Sequence, residues 1–358
     1  MLNNIVIEDL VPSQIIELIE ELKQTLEIVK YSKKTNSKVA AFKKNTLVCP
    51  QCNSLTIVKN GHTKTKVQTY KCNDCGKRFN DLTNTVFSGT HLNYEQIEIF
   101  IQCFNNKLSL RKTAKKMGAD KNTVFLLRHK LLDSLKKIRD NTILSDEIET
   151  DEFYRTINLK GTKPDKMPRF SKPRTSNNSS STRGISSHKV CIASATDSND
   201  NMFMEIVGTG PITSKMVEKS LTPKLKNIKK VITDCKSSYE KEAKDNHWNL
   251  IQVKSNCYVD ENGNSLANVN SLQSGLSTFL SIFRGVSTKH LQGYLDWYIF
   301  DKYLNYSIEI NNHEDIILTN LMNMSTNITA TNMYNNSSGI DFEKVYADYN
   351  YDPLAHHA

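Results

Sequence analysis

Three segments between Ile232 and Leu291 decide the fold: ITDCKSSYE (232–240), WNLIQVK (248–254) and ANVNSLQSGLSTFLSIFRGVSTKHL (267–291). Asp234 closes a short apolar run, so we expect its carboxylate at the carboxyl end of a β-strand. The second segment reads as another strand, and the third has the apolar spacing of an amphipathic helix. This stretch therefore predicts part of an α/β domain.

The predicted helix has an apolar face and a polar face. The apolar face holds Val269, Leu272, Leu276, Phe279, Leu280 and Phe283. The polar face holds Asn270, Gln273, Ser274, Ser277, Ser281 and Arg284. If this polar stripe faces Asp234 and a second carboxylate upstream, the three groups could hold a divalent metal ion, because Mg²⁺ prefers oxygen ligands.

The second carboxylate is expected from the segment SDEIETDEFYRTINLK (145–160), whose alternation predicts a strand with Asp151 in it or at its end. From His188 onward, the order of further strands and helices predicts an α/β domain with a mixed sheet over 145–305. If its first and fourth strands pair in the middle of the sheet, Asp151 and Asp234 become neighbours. In isolation, Asp151 also fits an acid that merely solubilises a strand end.

The composition favours a multidomain protein with a polyanionic partner. The chain has 358 residues and a formal net charge of +9, enough for two or three domains. The sequence contains neither a run of eighteen apolar residues nor a secretory signal. We therefore expect a cytoplasmic protein that has no membrane partner and that is associated with the nucleoid when it is bound to DNA. Four of the eight cysteines lie in two CxxC pairs, which in a reducing compartment suggests metal binding.

Residues 46–82 are predicted to form a zinc ribbon. Cys49 and Cys52 precede Cys72 and Cys75 by a spacer of nineteen residues, which suits one tetrahedral, structural Zn²⁺ ion. Four thiolates leave no open position for water, so this metal would not be the catalyst. A basic rim suits DNA, although it could be only a solvated charged face; it comprises Lys59, His62, Lys64, Lys66, Lys71, Lys77 and Arg78.

Residues 92–140 predict a helix-turn-helix DNA-binding region. Ser109 and Asp120 are placed to cap two helices, and Gly118 to end the first of them. The predicted DNA contacts lie on the second helix, where a recognition helix meets the bases; they are Lys121, Asn122, Thr123, Arg128, His129 and Lys130. Many helical hairpins bind nothing, and the neighbouring basic ribbon is what favours DNA here.

Three segments flank these regions. Residues 1–45 predict a packing or dimerisation helix followed by a basic linker. Residues 160–187 lack periodicity and predict a flexible basic loop, either along a phosphate backbone or simply exposed. Residues 306–358 form an Asn-rich tail that we expect to be largely disordered.

Taken together, residues 47–305 resemble DDE-type insertion-sequence transposases with an N-terminal zinc ribbon and a ribonuclease H-like catalytic domain. The residues that carry the resemblance are CPQC, CNDC, TVFLLRHKLL, TDEFY, VITDCKSSY, NVNSLQS and FRGVSTKHLQGYLDW. In the branch that the chain most resembles, the catalytic positions are two aspartates and an asparagine, followed seven residues later by a lysine. These positions match Asp151, Asp234 and Asn270.

The resemblance implies Mg²⁺- or Mn²⁺-dependent cleavage and transfer of DNA strands by a two-metal site. It implies Asp151 as the ligand that bridges two ions, with Asp234 and Asn270 each binding one of them. Double-stranded DNA is the implied partner, both as terminal inverted repeats and as target, and the implied form is a homo-oligomer on DNA.

The chain departs from that branch at two positions. Ser277 stands in place of the lysine, and Gln273 in place of a common histidine; Arg284 is expected further along the polar stripe as a substitute cation. These departures keep open a transposase-derived DNA-binding protein or regulator that no longer catalyses transposition. A zinc-ribbon transcription factor with an unrelated α/β domain and a ribonuclease H-like nuclease acting on RNA or junctions are further alternatives.

Overall fold

The computed structural model describes residues 47–158, 160, 189–254, 259–307, 313–333 and 340. The predicted N-terminal helix and linker over 1–45 lie outside these residues. So does the predicted basic loop over 160–187, apart from Lys160. The chain divides into two compact units, one within Met1–Asp140 and Phe300–Asn335, the other within Asn141–Ile299 and Asn336–Ala358.

The first unit begins with a small antiparallel sheet of three strands in the order β1-β2-β3. The strands are β1 (Ile57–His62), β2 (Gln68–Cys72) and β3 (Arg78–Asn80). Few of its apolar side chains are buried, Val67 and Tyr70 among them. A segment with so small a core needs another source of stability, which a bound metal ion would supply.

Helices form the rest of the first unit. They are α1 (Tyr94–Asn105), α2 (Leu110–Met117) and α3 (Lys121–Asn141). The side chain of Ser109 caps α2, and Gly118 ends it in the left-handed conformation with φ of 60°. Asp120 Oδ1 accepts a hydrogen bond of 2.7 Å from the backbone N–H of Asn122 at the start of α3. The predicted starts of both helices and the predicted end of α2 are thus confirmed, while α3 runs three residues beyond the predicted segment, which ends at Ile138.

Part of the segment 306–358, which we expect to be largely disordered, forms a helix. His313–Asn323 forms helix α8, and Ile316, Ile317 and Leu321 on it are buried. The carbonyl of Leu321 accepts a hydrogen bond of 3.3 Å from the N–H of Val86. The helix has the sequence HEDIILTNLMN, whose apolar residues have helical spacing. The asparagine-rich composition of the tail made this pattern easy to overlook.

The second unit contains a mixed sheet of five strands in the order β6-β5-β4-β7-β8. Antiparallel pairs join β4 to β5 and β5 to β6, and parallel pairs join β4 to β7 and β7 to β8. The strands are β4 (Leu144–Thr156), β5 (Lys189–Asp197), β6 (Met202–Thr209), β7 (Leu225–Thr233) and β8 (Leu250–Gln252). The element order agrees with the one predicted from the sequence, and the strand with Asp151 lies in the middle of the sheet.

Side chains on the two faces of this sheet meet different helices. The helices are α4 (Ser214–Ser220), α5 (Ser237–Asp245), α6 (Ala267–Ser281) and α7 (Leu291–Ser307). The hydroxyl of Thr150 lies 3.5 Å from that of Tyr239 on α5, whereas the next residue, Asp151, contacts α6. This alternation follows from the period of two in a strand and places helices on both faces.

An aromatic cluster fixes the end of α6 against α7. The ring centroid of Trp297 lies 5.4 Å from that of Phe279 and 5.1 Å from that of Phe283. Tyr298 donates a hydrogen bond of 2.9 Å to the carbonyl of Leu272. These contacts account for much of the aromatic content of 283–298 and hold α6 on the sheet. None of the helices in the described residues is long and apolar enough to cross a membrane.

Candidate metal and DNA-binding sites

The pairing of β4 with β7 brings the two predicted catalytic aspartates together. Glu149 pairs with Ile232 in this parallel ladder. Asp151 and Asp234 each lie two residues beyond that pair, so they lie side by side on adjacent strands. The predicted pairing of these strands in the middle of the sheet is confirmed, and Asp234 follows the last residue of β7 as expected.

One lysine joins the carboxylates. The Nζ atom of Lys236 lies 2.8 Å from Asp234 Oδ2 and 3.5 Å from Asp151 Oδ1, and it also forms an ion pair with Glu152 Oε2. Both aspartates thus contact the same ammonium, which places their carboxylates close to each other beside the end of β7.

Burial alters the ionisation of the groups around this lysine. The side chain of Glu152 is fully buried, and this burial raises its pKa. Its other oxygen accepts a hydrogen bond of 2.6 Å from the hydroxyl of Tyr239. Burial alone would lower the pKa of Lys236, but hydrogen bonds to Asp234 and Glu152 raise it well above its ordinary value. The ammonium therefore remains charged between its acidic partners.

Helix α6 reaches the site through Gln273. Its Nε2 donates to Asp151 Oδ2 at 3.2 Å and to the hydroxyl of Ser194 at 2.8 Å. Ser194, opposite Asp151 on β5, donates in turn to the carbonyl of Asp151 at 2.8 Å. Gln273, which lies on the predicted polar stripe, is buried and orients the Asp151 carboxylate.

Asn270 is exposed and lies one turn before Gln273 on α6. Among the residues that the structure describes, no hydrogen bond joins its side chain to either aspartate. Residues three apart share a side of a helix, so Asn270 lies on the same side of α6 as Gln273, one turn nearer the start of the helix. The structure thus brings together Asp151, Asp234 and Gln273, and no hydrogen bond among the described residues joins the Asn270 side chain to them.

The donor set suits a divalent cation. Asp234 Oδ1 is buried and accepts no hydrogen bond from any residue that the structure describes. A buried carboxylate oxygen without a donor is unfavourable, and a hard cation satisfies it. With Asp151 beside it, these oxygens fit Mg²⁺ or Mn²⁺ better than a soft metal.

Two further residues were predicted on the polar stripe of α6, and the structure places them differently. Ser277 is exposed, and its hydroxyl bonds back to the carbonyl of Gln273 at 3.2 Å. The expectation that Arg284 continues the stripe is wrong, because α6 ends at Ser281. The chain then turns, with Arg284 in the left-handed conformation (φ 51°), so the helical register no longer applies to it.

Sequence reasoning missed three groups of this site: Glu149, Glu152 and Lys236. All of them flank a predicted aspartate by two residues or fewer. The acids gave a partial signal, since both lie within the predicted strand, and a buried glutamate there requires a partner for its charge. Nothing local distinguished Lys236 from the many other lysines of the chain.

The four predicted zinc ligands come together in the first unit. The Sγ atoms of Cys49, Cys52, Cys72 and Cys75 all lie within 4.8 Å of one another. Each knuckle closes in the same way: Asn53 N–H donates to the Cys49 carbonyl and Gly76 N–H to the Cys72 carbonyl, both at 3.0 Å. Four converging thiols at tetrahedral range fit a structural Zn²⁺ ion.

The basic rim of this segment is exposed, with Lys77 and Arg78 beside the second knuckle. Between residues 47 and 80 the sequence has a single acid, Asp74. At the start of α3, Lys121 and Asn122 are exposed and Thr123 is half-buried. These residues are accessible to a polyanion, and their positive charge favours one.

Three predicted DNA contacts are instead buried. Arg128 donates to the carbonyl of Leu108 at 2.7 Å, and Lys130 to that of Ser88 at 2.6 Å. The ring of His129 packs edge-on against Phe125 at a centroid distance of 4.3 Å. Arg128 and Lys130 thus bind carbonyls outside α3, and His129 packs within α3; the burial of all three contradicts the prediction that they contact DNA directly.

Comparison with known proteins gives limited similarity. No family model matches the chain. An uncharacterised protein in the transposable element ISH50 of Halobacterium salinarum is 28% identical over 127 residues, which make up 35% of this chain and 42% of that protein. The match thus spans less than half the length of that relative. A solved pre-cleavage Mos1 transpososome covers 60% of this chain and 78% of its own at 10% identity and a TM-score of 0.21, too low to establish a shared fold.

Proposed function

We propose that this chain is a DDE-type transposase that cleaves and joins DNA strands with divalent metal ions held by Asp151 and Asp234. The observation that carries the proposal is the convergence of these two carboxylates on one ammonium, from within β4 and from the end of the adjacent strand β7. Two acids this close without a cation would repel each other. A two-metal site for phosphodiester chemistry needs such a pair.

The sheet supports a ribonuclease H-like catalytic domain. Its first three strands are antiparallel neighbours, and the fourth and fifth extend it in parallel from the first. The candidate metal ligands lie on the first and fourth strands of this order. Helix α6, after the fifth strand, supplies Gln273 and Asn270. This arrangement agrees with the resemblance over residues 145–305.

The chain's own groups have definable tasks in such a reaction. When bound, a pair of Mg²⁺ ions would activate the attacking oxygen and stabilise the leaving oxygen of the phosphodiester. Asp151 would bridge the ions, with one oxygen oriented by Gln273. Asp234 would offer its unpaired Oδ1. Asn270 would offer a neutral carbonyl oxygen from α6, or position the substrate there.

The first unit would hold double-stranded DNA. Lys77 and Arg78 of the ribbon and Lys121, Asn122 and Thr123 of α3 are the proposed contacts, with terminal inverted repeats as the specific sites. Zn²⁺ held by the four cysteines would supply the stability that the small ribbon core lacks. The similarity to a protein of a transposable element supports this assignment, and we extend it to a homo-oligomer on DNA.

A second candidate function is a DNA-binding regulator that descends from a transposase and no longer cleaves DNA. Two observations favour it: Ser277 provides no cation, and the Asn270 side chain makes no hydrogen bond to the aspartates within the described residues. The candidate shares the DNA-binding surface of the first unit and differs only in the use of Asp151 and Asp234.

Cleavage of the chain's own DNA ends separates the two candidates. Purified protein is incubated with Mg²⁺ and a duplex that carries the sequences flanking its gene, and strand nicking and joining are measured on denaturing gels. We expect the wild-type protein and Glu147→Gln, a control at an exposed acid on β4, to be active. Asp151→Asn and Asp234→Asn should abolish both reactions while DNA affinity is retained. A wild-type protein that binds these ends without cleaving them would establish the regulator instead.

A further inference from the structure

We propose that Lys236 is the built-in counter-ion of the metal site, and that its ammonium competes with the divalent cation for Asp151 and Asp234. The inference rests on the proposed function, because it assumes that these carboxylates bind metal. It adds a residue that controls how tightly the metal is held.

The contacts of Lys236 place its charge where a cation would bind. Its ammonium contacts three carboxylates, which belong to Asp151, Glu152 and Asp234. It therefore neutralises three neighbouring acids that would otherwise repel one another. A divalent ion held by Asp151 and Asp234 would meet this ammonium at the same two carboxylates, so the two positive charges oppose each other there even though Asp234 keeps a separate oxygen, Oδ1, for the metal.

The three contacts differ in how readily they can be given up. Glu152 is fully buried, and its second oxygen is held by Tyr239 on α5, so its ion pair with Lys236 is the least solvated of the three and the least readily broken. The Asp151 contact, at 3.5 Å, is the longest of the three. We infer that the ammonium stays with Glu152 when metal binds and yields the aspartates.

The side chain of Lys236 has room to make this exchange, since it is 30% exposed, whereas that of Glu152 is not exposed at all. It lies on the short connection between β7 and α5, outside both elements. Its neighbour Asp234 keeps Oδ1 unpaired beside it. Lys236 contacts both candidate metal ligands, and it leaves Oδ1 of Asp234 without a hydrogen bond. A lysine that only packed against its neighbours would do neither.

Direct metal binding tests the inference without reference to catalysis. Mn²⁺ alone is titrated into the full-length protein, and the free ion is followed by electron paramagnetic resonance. Lys236→Met should bind Mn²⁺ on the order of tenfold more tightly than the wild-type protein, because it removes a positive charge that contacts the same carboxylates. Lys236→Arg should bind it about as weakly as the wild type. Lys241→Met, at an exposed lysine of α5, makes the same change in net charge and should leave the affinity unaltered.

A double variant guards against misfolding, since Lys236→Met leaves the buried Glu152 carboxylate without its cation. Lys236→Met with Glu152→Gln removes both charges, and it should retain the fold and the tighter Mn²⁺ binding. Unchanged Mn²⁺ affinity in both variants, with normal circular dichroism, would overturn the counter-ion role while leaving the metal site intact. Absence of Mn²⁺ binding in the wild type and in the lysine variants would instead overturn the proposed function itself.

Discussion

The carboxylate of Glu149 accepts hydrogen bonds from both the backbone N–H and the side-chain amide of Asn268, each at 2.8 Å. A third comes from the N–H of Val269 at 3.1 Å. Glu149 is buried on β4, and these donors lie in the first turn of α6, where unpaired N–H groups and the helix dipole favour an anion. The contact joins the strand of Asp151 to the helix of Gln273 and so sets the width of the site.

Replacement of Glu149 should therefore affect both stability and activity. Glu149→Ala is expected to lower the free energy of unfolding by about 2–4 kcal/mol, because it removes a charged cap with several hydrogen bonds. Urea unfolding followed by circular dichroism measures the change. Glu147→Ala, on the same strand but exposed, should alter stability by less than about 0.5 kcal/mol. Equal stability of the two variants would contradict the role of Glu149 as the cap of α6.

Removal of zinc should act on the first unit alone. Cys52→Ser, or a strong chelator, is expected to reduce the zinc content from one ion per chain to none and to unfold the ribbon, because four thiolates supply most of its stability. DNA affinity should fall with it. Metal content is measured by atomic absorption and DNA affinity by fluorescence anisotropy.

A matched control uses Cys235→Ser, which changes an exposed thiol outside the cluster and should leave zinc content at one ion. Intact DNA affinity after complete zinc removal would show that the ribbon does not contribute to DNA binding.

The exposed and the buried basic residues of α3 should behave differently. Lys121→Ala is expected to weaken DNA binding and to reduce the slope of log affinity against log salt by about 1, as for the loss of one phosphate contact. Arg128→Ala should instead lower the melting temperature, because it leaves the Leu108 carbonyl without its donor. Anisotropy titrations at several salt concentrations and thermal unfolding distinguish the two effects. A normal melting temperature for Arg128→Ala would restore it as a candidate DNA contact.

The elements of the second unit could be predicted because each has a local signal. Asp234 follows an apolar run of strand character, and the spacing from Val269 to Leu280 is that of a helix with one buried face. The four zinc ligands could be predicted from the spacing of the cysteines alone. Such patterns involve residues within one or two turns or one strand, so no knowledge of long-range packing was required.

The contacts that complete the site could not be predicted in this way. The hydrogen bond between Lys236 and Asp151 joins residues 85 positions apart, and that between Glu149 and Asn268 spans 119. The first depends on the register between β4 and β7, and the second on how α6 packs on the sheet, and one sequence leaves both undetermined. The error at Arg128 has a related cause: a basic residue on a helix was taken to be exposed, whereas it pairs with a carbonyl 20 residues away.

Gln273 provides the sharpest test of how the site orients its acids. Gln273→Leu keeps the approximate volume of the side chain but removes its donations to Asp151 Oδ2 and Ser194 Oγ. A hydrogen bond to a charged group contributes about 1.5–3 kcal/mol, so strand cleavage should slow by a factor on the order of 10–100 if Asp151 loses its orientation. DNA affinity should be unchanged, since Gln273 is buried. Ser274→Ala, at the exposed neighbouring position, is the control and should cleave at the wild-type rate. A Gln273→Leu variant that folds and cleaves as fast as this control would mean that Asp151 needs no support from α6.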